Sequence, residues 1–355
     1  MSQLQRLRAK LADSPIDALF VSDITNVQWL TGFSGSTGYA IVTADDAVFL
    51  SDSRYTIQAA EEIEEFDVQT LSGPMSYPQF FAHWFDKLGL KSVGFESSTT
   101  VATLDAWKKE VTATEWVQAP DLIKPLRMVK TQEEIEKIKR ACAITDACLE
   151  HLERMIQPGV VEFDIQLDLE FFLRRQGAGI AFHPIVVSGA NSARPHGFAT
   201  DKKLEVGDFL TIDLGAKLDG YCSDITRTFV VGDASDRHVE IYNQVLKAEV
   251  EAIKALKPGV PAKDVDALAR EILEEKDLNK YFGHGLGHGL GRDVHDFGGL
   301  GAKSKDTIEV GQVWTVEPGV YIEGFGGVRI EDDVVVTDGE PLILTHYPKD
   351  LKVLG

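Results

Sequence analysis

Four acidic residues stand in apolar, strand-like runs of the second half of the sequence. Asp213 lies in Phe209-Leu-Thr-Ile-Asp213-Leu-Gly215 and Asp224 in Tyr221-Cys-Ser-Asp224-Ile-Thr-Arg-Thr-Phe229. Glu317 lies in Val313-Trp-Thr-Val-Glu317-Pro-Gly319, and Glu331 follows Gly327-Val-Arg-Ile330. A carboxylate among hydrophobic residues is costly unless it is paired or hydrogen-bonded. One such acid is most often a satisfied core residue; four in matching contexts call for cations. Divalent metals are the simplest cancellation, and a carboxylate-rich set favours Mn²⁺ or Co²⁺ over thiolate-loving ions.

The histidines point the same way. Five of the nine lie in two motifs, His183 and His196 in HPIVVSGANSARPHG, and His284, His288 and His295 in HGLGHGLGRDVHD. Interleaved glycines imply backbone that must come close to something. Gly285, Gly287, Gly289 and Gly291 alternate strictly, so no dinucleotide fingerprint can be read there. Alternation predicts an extended strand with His284 and His288 on one face. Acids and imidazoles together predict a mixed Asp/Glu/His metal site.

The elements that must position these groups are duplicated. Pro158-Gly-Val160 recurs as Pro258-Gly-Val260, and Asp164 and Ile165 as Asp264 and Val265, at an offset of 100. Gly207, Thr211, Asp213 and Gly215 recur as Gly311, Thr315, Glu317 and Gly319 at an offset of 104. Residues from about 131 to 235 and from 240 to 340 therefore read as two copies of one α/β unit. Packed about a pseudo-two-fold axis, the copies would point their acids at one cleft. In each copy one acid ends a strand and another opens the next, and a hairpin through Lys217-Leu-Asp-Gly220 brings Asp213 beside Asp224.

Upstream, short β-type runs (Ala18–Val21, Tyr39–Val42, Ala47–Leu50, Val93–Glu96) alternate with helical stretches at Tyr55–Glu65 and Tyr77–Leu88, which predicts an α/β domain. Residues 1–120 form this N-terminal domain, 121–130 a connector marked by the prolines of Ala119–Pro125, and 131–355 a second domain that holds the acids and the histidine motifs. Thr131-Gln-Glu-Glu134 is a capping box that opens a helix running to about Met155. Trp29–Ser36, rich in small and aromatic residues, reads as a strand-to-strand turn with Trp29 and Phe33 in the core, or as a loop reaching a partner's active site.

Composition bounds the rest. The 355 residues suggest two or three domains. Lys+Arg 36 against Asp+Glu 56 gives a net charge of −20. That argues against nucleic acid and against anionic membranes as partners. No apolar run approaches a membrane span, and MSQLQRLRAKLADS reads as an amphipathic helix, not a signal peptide. Three cysteines without a CxxC fit a reduced, cytoplasmic protein.

The set IDLGA, YCSDITRTF, GLGHGLG, TVEPGVY and VRIEDD resembles the M24 metallopeptidases, proline-specific branch, of creatinase-like pita-bread fold. The resemblance implies a creatinase-like α/β N-terminal domain, supplying a dimer interface and part of the cleft wall. A pita-bread α+β domain with internal pseudo-two-fold duplication follows it. It also implies two divalent metal ions (Mn, with Co or Zn possible) on Asp213, Asp224, His288, Glu317 and Glu331, with Asp224 and Glu331 bridging. His196 and His295 would stabilise the tetrahedral intermediate, Glu317 would also move a proton, His284 would line the substrate side, and Arg329 would pair with the metal carboxylates.

Within that branch the expected activity is metal-dependent hydrolysis of the X–Pro bond in small peptides by a homodimer. Xaa-Pro aminopeptidase is the preferred reading, on VHD and the SGANSARPHG context, and Xaa-Pro dipeptidase (prolidase) the alternative. Methionine aminopeptidase and a non-catalytic binding module of the same fold are more distant. Arg292, where the family usually has an aliphatic residue, is either a surface charge or a group aimed at a substrate carboxylate.

Overall fold

The computed structural model describes residues 1–119 and 121–355. Pro120, one of the two prolines that mark the expected connector, lies outside the described residues. Met1–Leu126 and Arg127–Gly355 form two compact units.

In the first unit, helix Gln3–Leu11 has Ser2 as its cap and buries Leu4, Leu7 and Leu11, so the amphipathic reading of the N-terminus holds. The unit is built on one six-stranded sheet. Its strands are β1 (Ala18–Val21), β2 (Tyr39–Thr43), β3 (Ala47–Asp52), β4 (Asp67–Leu71), β5 (Ser92–Phe95) and β6 (Glu115–Gln118), in the order β4-β3-β2-β1-β5-β6. The period-2 alternation of strand side chains feeds two cores. Leu19, Val21, Ala40, Val42 and Phe49 pack on the Leu4/Leu7/Leu11 side. Phe20, Ile41, Val48 and Leu50 pack on the side of Phe81, Phe85 and Trp107. Each buried Val, Leu, Ile or Phe among them contributes roughly 1.5–3 kcal/mol.

The stretch read as a strand-to-strand turn is different. Trp29 lies in helix Ile24–Thr31, which ends at Gly32 in the left-handed conformation with φ +78°. The helix forms because Asp23 caps it by accepting from Thr25 and Asn26. Trp29 and Phe33 are indeed buried.

The second unit shows the duplication. Helix Gln132–Leu152, capped reciprocally by Thr131 and Glu134, packs with helix Glu162–Arg175 on a sheet of Ile185–Ser188, Phe209–Leu214, Ile225–Val231 and Val353–Leu354. Helices Asp236–Ala255 and Ala262–Glu274 pack in the same way on Gly287–Gly289, Asp296–Leu300, Val313–Val316, Asp332–Val335 and Leu342–Ile343. The two sheets meet at an isolated antiparallel bridge between Thr226 and Glu331.

Two local expectations change. The Asp213/Asp224 hairpin pairs Asp213 with Thr226, but Ala216–Leu218 and Tyr221–Cys222 form a side ribbon between the acids. The long extended run through the Gly/His motif is a strand only at Gly287–Gly289, with a bulge after His288. Its glycines approach neighbouring backbone. A Cβ on Gly287 would lie 2.0 Å from the Thr315 carbonyl oxygen, and one on Gly289 would lie 2.0 Å from that of Phe297.

Candidate metal centre

A cavity of about 460 Å³ opens where the two sheets of the second unit meet. Asp213, Asp224, Glu317 and Glu331 line it with His183, His196, His284, His288, His295 and Arg329. Phe182, Ile185, Pro195, Phe198 and Val294 supply an apolar wall. The structure thus brings together nine of the ten residues given a role in the site from the sequence, with His183 beside them. Arg292 is the exception. Its guanidinium lies over the Tyr221 ring, 5.2 Å from the centroid, and against Gly220. Arg292 also follows the sharp approach at Gly291, whose position faces Asp296.

Strand ends place the acids. Asp213 is in the buried strand Phe209–Leu214, Asp224 immediately precedes Ile225–Val231, and Glu317 follows Val313–Val316. Glu331 sits between Gly326–Arg329 and Asp332–Val335. Oxygens of Asp224 and Glu331 and a ring nitrogen of His288 lie within 4.8 Å of one another.

His288 decides what lies between them. Its Nδ1 is 3.1 Å from the Gly289 carbonyl oxygen, an acceptor, so Nδ1 carries the proton. Nε2 then presents a lone pair, 3.6 Å from Asp224 Oδ2 and 3.6 Å from Glu317 Oε1. Three lone-pair groups facing one another across that gap need a metal ion, or a proton on a carboxyl, between them. Burial, with His295 adding to it, pushes the His288 imidazole down to about 4, so the ring itself is not a cation at neutral pH. The donor set, oxygens with one imidazole and no thiolate, suits a hard or borderline divalent ion.

The acids show the same strain. Burial, then Glu331 and Asp213, pushes Asp224 well above the usual carboxylate range. Burial and Glu331 do so for Glu317. Burial and Asp213 raise Glu331 to about 8. Burial also raises Asp213, against the pull of Arg329. Asp213 Oδ1 is buried without a hydrogen-bond partner among the described residues.

Several positioning groups gave no signal that the sequence reading used. Thr226 Oγ1 donates to Glu331 Oε2 at 2.6 Å. Tyr321 Oη accepts from Arg329 Nη1 at 2.8 Å and meets His284 Nε2 at 2.9 Å. Asp333 Oδ2 accepts the backbone N–H of Asp224 at 2.9 Å. Arg270 holds the carbonyl of His284 at 2.5 Å, and Asp266 the N–H of Leu286 at 3.1 Å. Tyr321 does lie in the TVEPGVY motif, four residues past Glu317.

Residues 136–338 match metallopeptidase family M24, and residues 3–129 match the creatinase/prolidase N-terminal domain. The chain belongs to metallopeptidase family M24. This M24 chain is 36% identical over 352 residues to a Xaa-Pro dipeptidase of Pyrococcus furiosus, covering 98% of this chain and 99% of the relative. Its fold superposes on a Xaa-Pro dipeptidase from Bacillus anthracis with TM-score 0.95 and 39% identity, covering 99% of each chain. It superposes on an X-Pro aminopeptidase from Thermotoga maritima with TM-score 0.91 and 34% identity, covering 98% of this chain and 100% of the other. The fold expected from the motifs, a creatinase-type N-terminal domain before an M24 domain, is therefore the fold of this peptidase. As an M24 member it is a divalent-metal peptidase. No helix among the described residues is long and apolar enough to cross a membrane.

Proposed function

We propose that this M24 peptidase is a Xaa-Pro dipeptidase that holds two divalent ions, with Mn²⁺ the preferred metal, on Asp213, Asp224, His288, Glu317 and Glu331. The observation that carries the metal reading is the lone pair of His288 facing two carboxylate oxygens at 3.6 Å. The Pyrococcus and Bacillus anthracis dipeptidases support the dipeptidase over the aminopeptidase expected from the motifs.

Divalent ions held there would supply a nucleophilic water near neutral pH and polarise the scissile carbonyl. The side chains do the rest. The X–Pro nitrogen is a tertiary amide without an N–H, so it must gain a proton as it leaves. Glu317 lines the cavity beside Asp224 and His288 and carries that proton from the water to the nitrogen. His196 and His295 donate N–H to the carbonyl oxygen as negative charge develops there. Phe182, Phe198 and Val294 offer the apolar contact that a pyrrolidine ring needs. Tyr321 and Gly285 fix the ring of His284 on the cavity wall.

One observation keeps the aminopeptidase as a second reading. A dipeptidase must recognise the carboxylate of its proline. Arg329 is the one permanent cation on the described cavity wall, and it already serves Asp213 and Tyr321. The carboxylate must then be met by imidazole, or else the substrate continues past proline. A homodimer in the cytoplasm completes the proposal; the three cysteines are unpaired thiols, which supports a reducing compartment.

The test incubates Mn²⁺-loaded protein with Ala-Pro and Ala-Pro-Ala-Ala, with a chelated control. Metal-dependent cleavage of Ala-Pro in preference to the longer peptide supports the dipeptidase. Release of Ala only from the tetrapeptide supports the aminopeptidase. No metal-dependent cleavage of either overturns both.

A further inference from the structure

Arg227 is a guanidinium with 1% exposure, and it points away from the cavity. It lies in the strand Ile225–Val231, whose alternation sends Thr226 and Thr228 towards Arg329 and Arg227 to the opposite face. Nη1 donates to the Glu331 carbonyl at 2.6 Å and the Thr226 carbonyl at 3.0 Å. Nη2 donates to Asp332 Oδ1 at 2.7 Å and the Tyr347 carbonyl at 2.7 Å. Nε is shared between the carbonyls of Tyr347 and Pro348 at 3.2 and 3.3 Å. One buried cation therefore joins the two strands that carry Asp224 and Glu331 to the C-terminal segment.

That arrangement leaves Glu331 little freedom. Its N–H reaches the Thr226 carbonyl at 3.2 Å, its carbonyl accepts from Arg227, and its Oε2 accepts from the Thr226 hydroxyl. The C-terminal segment is itself tied down. The N–H groups of His346 and Tyr347 donate to Asp146 at 2.8 and 2.9 Å. Lys349 joins Asp332 and Glu249, both with fully buried side chains. Val353–Leu354 adds a parallel strand beside Ile225–Val231. A buried charge needs such partners, but a stable fold could be had from apolar groups of similar volume. Here one of the Arg227 donors goes to the backbone carbonyl of a metal-facing acid, Glu331, and its other partners hold that guanidinium in place.

We infer that Arg227, braced by the C-terminal segment through Lys349 and Asp332, is a positioning residue that sets the Glu331 carboxylate for metal binding. The inference rests on the metal reading of the site. Outer partners of metal-binding side chains typically contribute about 10–100-fold in affinity or activity.

The experiment titrates the metal-stripped full chain with Mn²⁺ alone, following free Mn²⁺ by its electron paramagnetic resonance signal. Wild type is compared with Arg227→Lys, Lys349→Met and Lys352→Met. Lys352 belongs to the same segment but pairs with Glu153 and Tyr347, not with Asp332, so it is the control for plain loss of stability. Arg227→Lys should weaken Mn²⁺ binding about tenfold or more and lower kcat with KM little changed. Lys349→Met should act in the same direction, and it decides the matter if Arg227→Lys does not fold. Lys352→Met should lower Tm and leave Mn²⁺ affinity alone. Mn²⁺ binding equal in wild type, Arg227→Lys and Lys349→Met, with only Tm lowered, overturns the inference. So does a Lys352→Met loss as large as that of Lys349→Met. Absence of Mn²⁺ binding in wild type is a different result and overturns the metal reading itself.

Discussion

Arg329 Nη2 meets Asp213 Oδ2 at 2.5 Å, with both side chains close to fully buried. The same guanidinium donates to the Tyr321 hydroxyl and, through Nε, to Thr226 Oγ1 at 3.0 Å. It thus links an acid of the first repeat to the strand that leads into Glu331 of the second. Removing one member of a buried pair strands the other's charge, at about 3–5 kcal/mol. Arg329→Met should therefore lower stability by that order and reduce kcat by about 10–100-fold. Tyr321→Phe removes only the hydroxyl that Arg329 and His284 share, so its loss should be smaller. Denaturation midpoints and kcat measured in parallel check this; equal effects of the two variants would refute the proposed hierarchy.

What was legible in the sequence follows from which interactions leave a pattern. Four acids in apolar runs, and histidines among glycines, stand out because each violates the local composition. The offsets of 100 and 104 exposed the duplication because each repeat needs the same turns. Thr226, Asp333 and Arg227 were not legible, since a threonine or a charge in a strand has many ordinary uses. Their roles come from contacts between residues about 100 positions apart. The interleaved glycines of the Gly/His motif signal close approach in the sequence, and the structure has it. Its partner, the carbonyls of Thr315 and Phe297, could be known only from the sheet register.

Thr226 is the lever on Glu331 that can be changed most conservatively. Thr226→Val keeps shape but removes the donor to Glu331 and the acceptor for Arg329. Leaving such buried groups unpaired costs about 1–3 kcal/mol each. Mn²⁺ affinity should fall about tenfold. Thr226→Ser restores the hydroxyl and should recover most of it. A Ser variant no better than Val would show that the hydroxyl alone does not set Glu331, against the donor role assigned to it.

The glycines of the histidine motif are hemmed in by their neighbours, whereas Gly299 in the adjoining strand Asp296–Leu300 is not. Gly287→Ala drives a Cβ to within 2.0 Å of backbone oxygen, so strand Gly287–Gly289 must shift and carry His288 with it. Overpacking of this kind costs about 1–3 kcal/mol or more. Mn²⁺ content should fall together with Tm. Gly299→Ala meets nothing within 4 Å and is the matched control, expected to change neither.

Arg292 sits on Tyr221, away from the cavity wall. Arg292→Ala should leave KM for Ala-Pro within about twofold of wild type, since no ground-state contact is removed. Its cost should appear in stability, at about 0.5–1 kcal/mol for a cation over an aromatic face. A rise of tenfold or more in KM for Ala-Pro, without a matching rise for the proline amide, would put Arg292 back in the substrate site.

The last prediction concerns acid stability away from the metal site. His238 closes the capping box of helix Asp236–Ala255, its Nδ1 accepting the Ser235 N–H at 3.0 Å. Its ring stacks on Phe325 at 5.0 Å and meets Phe209 edge-on. Burial, helped by the neighbouring Arg237, lowers its pKa below the ordinary 6.5. The charged groups facing it favour the same direction, since Arg237 itself lies over the Phe325 ring. The folded protein thus keeps the ring neutral while the unfolded chain protonates it near 6.5. The unfolded state binds the extra proton, so this contribution is complete above pH 6.5 and is lost as pH falls towards the depressed folded value. His238→Gln keeps an acceptor for Ser235 and removes the titration. Urea midpoints at pH 7.5 and 5.5 should show wild type losing more stability than the variant on acidification. Parallel losses in the two proteins would mean that His238 does not report acid stability at all.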